Sequence, residues 1–172
     1  MKVTMVMAMT LDGKIARDDN HPADWTGKED KRKFVEITKR AGVVIMGSKT
    51  FDTIGKALPG RKNIVMTRNR DRKSVDNLIF TDQDPELILK GLAREGFREA
   101  ALLGGAQINS LFARANLIDE ICVTVIPVFF GRGLSLFDHD MDTRLSLVDC
   151  EVISDQSLVL RYRVKGKQAL FR

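Results

Sequence analysis

Trp25, Asp30 and Phe34 are the residues of this chain best placed to do chemistry together. Asp30 precedes Phe34 by four positions, so on a helix the two share one face. Trp25 stands just ahead of that helix and can close over the same spot. An acid among aromatic side chains is costly in a cleft unless it meets a polar partner. A planar heterocycle carrying hydrogen-bond donors is such a partner. The run Leu58-Pro59-Gly60-Arg61-Lys62-Asn63 then makes a turn before a strand, and Arg61 could meet an anionic tail of the same ligand. Taken singly, Asp30 is an acid that favours the helix dipole, and Arg61 is a surface turn residue.

A second chemistry lies in glycines at strand ends. Gly47-Ser48-Lys49-Thr50 follows one apolar strand and opens a helix, and Gly104-Gly105 does so at another. Free backbone N–H groups at such helix starts bind phosphate. Neither is a complete dinucleotide fingerprint, and each alone reads as a tight turn. Two of them in one parallel sheet suit the two halves of a diphosphate-bearing nucleotide, bound beyond the carboxyl ends of the strands. Lys49 and the pair Thr67-Arg68 could surround a further phosphate, which favours NADPH over NADH.

These residues need elements to position them. Strands are expected over Val3–Met9, Val43–Met46, Asn63–Thr67, Leu78–Thr81, Ala100–Leu103 and Glu120–Val128. Two more are expected over Leu147–Ser154 and Ser157–Val164. Thr26 is a candidate N-cap, with Glu29 completing a capping box, for a helix to about Arg40. Ser48 caps a short helix ending near Gly55. Asp84-Pro85 starts a helix closed by Gly96, and another runs from the Gly-Gly pair to about Ala115. Alternating strands and helices predict an α/β fold with a mainly parallel sheet covered on both faces. The helix-free end predicts an antiparallel hairpin on its edge.

The 172 residues suit one domain spanning 1–172. Apolar residues make up 44% and charged residues 30%, a balance expected of globular proteins. No apolar run of about 18 residues predicts a membrane span. The N-terminus carries no secretory pattern, so the chain is expected in the cytoplasm. Cys122 and Cys150 have no zinc-site spacing and read as reduced core thiols. His21 and His139 are isolated. Net charge is +5. The basic residues crowd residues 28–40 and 68–73, which suits solvated faces or an anionic small ligand. No nucleic-acid motif is present.

Over its whole length the sequence resembles the dihydrofolate reductase superfamily, which includes the reductase domain of riboflavin biosynthesis. The Trp25…Asp30…Phe34 spacing, Val44-Ile45-Met46-Gly47…Thr50 and Leu58-Pro59-Gly60-Arg61-Lys62-Asn63 are similar to bacterial dihydrofolate reductases. The resemblance implies that Ala8 lines the pterin and nicotinamide pocket beside Trp25. It implies that Asp30 bonds the pterin amino group and ring nitrogen, with Thr124 supporting it. Phe34, Ile54 and Leu58 would hold the aromatic middle of folate, and Arg61 its glutamate carboxylate. NADPH would be held by Ile15, Gly47, Ser48, Lys49, Thr50, Thr67 and Arg68. The second strand end would add Leu103, Gly104, Gly105, Ala106, Gln107 and Ile108.

Other segments resemble the riboflavin-pathway reductases. They include Thr10-Leu11-Asp12-Gly13-Lys14-Ile15 and Gly131-Arg132-Gly133-Leu134-Ser135-Leu136-Phe137. Asn109 stands where dihydrofolate reductases usually carry an aromatic, and Ala23 and Lys31 replace apolar contacts. The zinc deaminase signature that often accompanies the riboflavin reductase is missing. The expected activity is NADPH-dependent reduction of dihydrofolate to tetrahydrofolate by hydride transfer. The alternative substrate is a ribosylaminopyrimidine phosphate. A non-catalytic, basic nucleotide-binding module is a third reading, but a binder of anions gains nothing from Asp30. Exposed Val128, Phe129 and Phe130 point to a contact in a homodimer.

Overall fold

The structure is a computed structural model and describes residues 1–165. In chain order the elements begin with β1 (Lys2–Thr10), β2 (Lys14–Ala16), α1 (Gly27–Ala41), β3 (Val43–Gly47), α2 (Ser48–Ile54), β4 (Lys62–Met66) and β5 (Leu78–Thr81). They continue with α3 (Pro85–Arg94), β6 (Glu99–Leu102), α4 (Ala106–Arg114), β7 (Glu120–Ile126), β8 (Leu134–Ser135), β9 (Leu145–Val152) and β10 (Leu158–Val164).

Eight strands form one sheet in the order β5-β4-β3-β6-β1-β7-β10-β9. The first six run parallel, while β10 is antiparallel to β7 and β9 antiparallel to β10. Every residue of β3 is buried, as a central parallel strand covered on both faces requires. Helices α1 and α2 lie on the face carrying Val6, Val44, Met46 and Val65. Helices α3 and α4 cover the other, against Val3, Met5, Ile45 and Leu102. The sheet and its antiparallel edge hairpin match the expected architecture.

Several local expectations are corrected. Thr26 makes no capping bond, because its backbone (φ −84, ψ −14) is already helical and its hydroxyl cannot turn onto the following N–H groups. Gly47, in extended conformation, is the N-cap of α2, and Ser48 is its first residue. β7 stops at Ile126, since Pro127 offers no N–H to the ladder. β9 starts at Leu145, two residues early. The two-stranded sheet of β2 and β8 was not expected; each strand is too short to show a period. Cys122 is buried, but Cys150 is exposed on β9. By contrast α3 starts as its sequence dictates, with the Asp84 carboxylate accepting the Glu86 N–H at 2.9 Å and Pro85 in the first turn.

Candidate active site

Parallel strands end along one edge of a sheet, and there a cavity of about 590 Å³ opens between the starts of α1, α2 and α4. Asp30 lines it, half-buried, from the first turn of α1, and it forms no hydrogen bond or ion pair among the described residues. Phe34 follows one turn later on the same wall, and Trp25 stands at the entrance. Ala8 and Thr124 face each other in register across β1 and β7 and form the floor. Thr124 is 5% exposed. Ile54 and Leu58 make the opposite wall. Cys122 lies on the same face of β7 as Thr124, and burial pushes its thiol up to about 11. It is therefore protonated and unreactive at neutral pH.

Leu58 is placed by Asn63, which is fully buried at the start of β4. The Asn63 amide accepts the Leu58 N–H at 2.8 Å and donates to the carbonyls of Leu58 at 3.0 Å and Arg61 at 2.8 Å. Arg61 does not line the cavity. It is 5% exposed. Its Nη1 donates to the Thr38 hydroxyl at 2.7 Å and its Nε to the Pro59 carbonyl at 3.0 Å. Burial holds its pKa below the ordinary value. Thr38 in turn donates to the Phe34 carbonyl at 2.7 Å. The guanidinium thus ties the 58–61 turn to the helix that carries Phe34.

Three lysines line the cavity. Lys33 pairs with Glu151 at 2.8 Å and Glu36 at 3.5 Å, and Glu151 raises its pKa. Lys49 pairs with Asp19. Lys31, exposed beside Asp30, forms no ion pair among the described residues.

The other half of the cavity is made by the two glycine turns. Ile15, Gly47, Ser48, Lys49, Thr50 and Leu103 line it, joined by Gly105, Ala106, Gln107 and Ile108. Gly47 donates to the Gly104 carbonyl at 2.8 Å. A Cβ on Gly47 would meet Ile108 Cγ1 at 2.9 Å, so only glycine lets β3 and α4 approach this closely. The N-cap of α4 is Gly105, and no side chain caps its free N–H groups. Gly104 lies behind the wall, with φ +81, and a Cβ there would stand 3.1 Å from the Met7 Sδ and Cε. Thr67 lines a separate cavity of about 310 Å³ with Arg70 and Arg72, and exposed Arg68 lines neither. Arg61, Thr67, Arg68 and Gly104 are thus not among the residues that line this cavity; each belongs to a turn behind or beside it.

Two residues at the mouth escaped sequence reasoning. His21 lines the cavity between Trp25 (centroids 6.5 Å apart) and Phe130 (5.3 Å). Phe130 also meets Trp25 at 5.1 Å and carries the Arg17 guanidinium 4.1 Å above its ring. It is therefore engaged at the mouth rather than free for a partner. Asp12 holds it there. Its carboxylate accepts the Thr10 hydroxyl and the N–H groups of Phe130 at 3.2 Å and Gly131 at 2.7 Å. Partners more than a hundred positions away leave no local signal.

The Thr10 hydroxyl bond holds the Asp12 carboxyl below its ordinary value of 3.8. A lowered folded value means that the clasp is complete above 3.8 and lost as pH falls through the lowered value. Amide exchange at Phe130 and Gly131, corrected for intrinsic rates, should accelerate only in that acid range. Asp12→Ala should show fast exchange at every pH. Equal protection in wild type and variant at pH 7 would refute the clasp.

Residues 1–159 match the family described as RibD C-terminal domain. A Caenorhabditis elegans protein, provisionally named a dihydrofolate reductase, is 30% identical over 91% of this chain and 88% of its own length. A Shewanella structure, described provisionally as a riboflavin biosynthesis protein, superposes with a TM-score of 0.81 at 24% identity, covering 96% of this chain and 100% of that one. Dihydrofolate reductase from Enterococcus faecalis, complexed with NADP(H), gives a TM-score of 0.76 at 20% identity, covering 96% and 97%. At those identities the two structures establish likeness of fold.

Proposed function

The chain belongs to the RibD C-terminal domain family, and we propose that this NADPH-dependent oxidoreductase reduces the C=N bond of dihydrofolate. The observation that carries the substrate is Asp30, a carboxylate with no partner among the described residues, set in the cavity with Trp25, Phe34 and Thr124. The residues present fit the cofactor. Gly47 and Gly105 leave the α2 and α4 starts uncapped and facing one space, and backbone N–H groups so placed suit a diphosphate. Lys49 would exchange Asp19 for a phosphate oxygen. NADPH, when bound, supplies the hydride for the ring carbon while the adjacent nitrogen takes a proton from water. Asp30 accepts hydrogen bonds from the donor edge of the heterocycle and stands as counter-charge when that nitrogen is protonated. Phe34, Ile54 and Leu58 flank the ring and keep water from it.

A second reading, reduction of a ribosylaminopyrimidine phosphate, is favoured by the matched family. Lys31, without an ion pair among the described residues, lines the cavity as a cation for either anionic tail. Lys31→Gln should raise KM about threefold to tenfold, a small effect because the ammonium is solvated, with kcat unchanged. Loss of NADPH absorbance with dihydrofolate, and separately with the pyrimidine phosphate, decides between the substrates. Turnover of the second alone would overturn the folate reading, and turnover of neither would overturn both.

A further inference from the structure

Asp138 is an acid in the half of the cavity that is otherwise built for anions. It lines that cavity with Leu134, Gly105, Ala106 and Gln107. It belongs to the stretch after β8, which α4 holds at two points. The Asn109 Nδ2 donates to the Leu136 carbonyl at 2.9 Å, and the Ser110 hydroxyl accepts the Asp138 N–H at 2.9 Å. Asn109 is 0% exposed and Ser110 1%, so both anchors sit inside the protein. The Ser110 hydroxyl also bonds to the Asp138 carboxylate and holds the group below its ordinary value of 3.8. His139 Nδ1 stands 2.6 Å from the carboxylate. Other acids along the cavity are already engaged. Asp30 faces the heterocycle, Asp19 pairs with Lys49, and Asp18 accepts the Asn20 N–H. Nor does Asp138 cap α4, because Ser110 lies in the second turn and no side chain caps the first-turn N–H groups. A carboxylate has about four acceptor sites. Ser110 and His139 use part of them, and the side chain is 30% exposed toward a ligand. An ionised acid only accepts hydrogen bonds, so beside a diphosphate it repels unless the ligand presents donors there. The sugar hydroxyls next to the diphosphate are such donors.

We propose that Asp138 accepts hydrogen bonds from the ribose hydroxyls on the nicotinamide side of the cofactor, and that Asn109 and Ser110 position it for this. The inference rests on the placement of NADPH between the two glycine turns. The side follows from charge. The adenosine ribose of NADPH carries the 2′-phosphate, which a carboxylate repels and an ammonium attracts. Lys49 stands at the start of α2 and Asp138 beside α4. The phosphorylated sugar therefore belongs with Lys49 and the free diol with Asp138. Ile15 and Leu134, on the paired strands β2 and β8, give that end an apolar wall suited to the nicotinamide ring.

Titration calorimetry of the full chain with three probes tests this. They are NADPH, 2′-phospho-ADP-ribose, which lacks the nicotinamide, and adenosine 2′,5′-bisphosphate, which lacks the second ribose as well. Asp138→Ala should bind the first two about tenfold more weakly, as loss of a charge-assisted bond at a partly exposed group predicts. It should bind the third as wild type does. Asp138→Asn keeps one acceptor oxygen and should lose less. Ser110→Ala leaves the carboxylate but frees it, and should weaken the same two probes by about threefold. NADPH affinity that is unchanged or tighter in Asp138→Ala would overturn the proposal and leave the cofactor site standing. Equal weakening of all three probes would overturn it too, since a merely structural loss acts on both sugars. A loss with NADPH alone would assign Asp138 to the carboxamide instead of the ribose. Wild type that binds none of the three would overturn the cofactor placement, and this proposal with it.

Discussion

Asp30→Asn should lower turnover at pH 7 by about 10²–10⁴-fold, the range typical of proton-assisting groups. The substitution keeps the shape of a half-buried side chain. It replaces an acceptor by an amide that also presents donors to the donor edge of the heterocycle, so one hydrogen bond is lost. The protonated intermediate loses its counter-charge as well. NADPH affinity should be spared, because the glycine turns lie in the other half of the cavity. Turnover should partly recover in acid, where protonated substrate is common. Steady-state kinetics from pH 5 to 8 with melting curves check this. Near-normal turnover at pH 7 would return Asp30 to a helix-start acid, and so would a loss that tracks unfolding.

The second large effect concerns stability. Asn63 is fully buried and bonds to three backbone groups of the 58–61 turn. Asn63→Ala strands the Leu58 N–H and two carbonyls, at a cost of about 2–4 kcal/mol. For a chain of this size that should lower the melting temperature by roughly 6–12 °C. Asn63→Asp should not rescue it, because a carboxylate accepts the Leu58 N–H but faces the two carbonyls without donors. The same variants should weaken substrate binding, since Leu58 loses its support. A melting temperature within about 2 °C of wild type would show that the turn holds without Asn63.

What the sequence showed and what it hid divide along physical lines. β3 and α3 were legible because their signals are local: an unbroken apolar run, and an Asp-Pro start. Gly47 and Gly105 were legible as helix starts because glycine at a strand end leaves few alternatives. Asp30 and Phe34 were legible as a pair through helical spacing, with Trp25 just ahead of their helix. The burial of Arg61 was not legible because a turn residue reads as exposed, and the Thr38 hydroxyl that draws it inward is 23 positions away. The Asp12 clasp and the seat of Phe130 were invisible, since pairs 118 and 119 positions apart have no period. β2 and β8 hid because three and two residues cannot display alternation.

Trp25 is the chain's one tryptophan, and its ring stands against Phe130 and His21 at the cavity entrance. All indole fluorescence of the molecule therefore originates at that point, undiluted by emitters elsewhere. A dihydronicotinamide ring seated in the cavity absorbs where indole emits and would drain that light by energy transfer. A heterocycle bound over Asp30 would shift it by displacing water from the ring. The protein thus carries an unlabelled optical gauge of occupancy. Dissociation constants for each ligand can be read from it without turnover, and on the Asp30→Asn protein they separate lost affinity from lost chemistry.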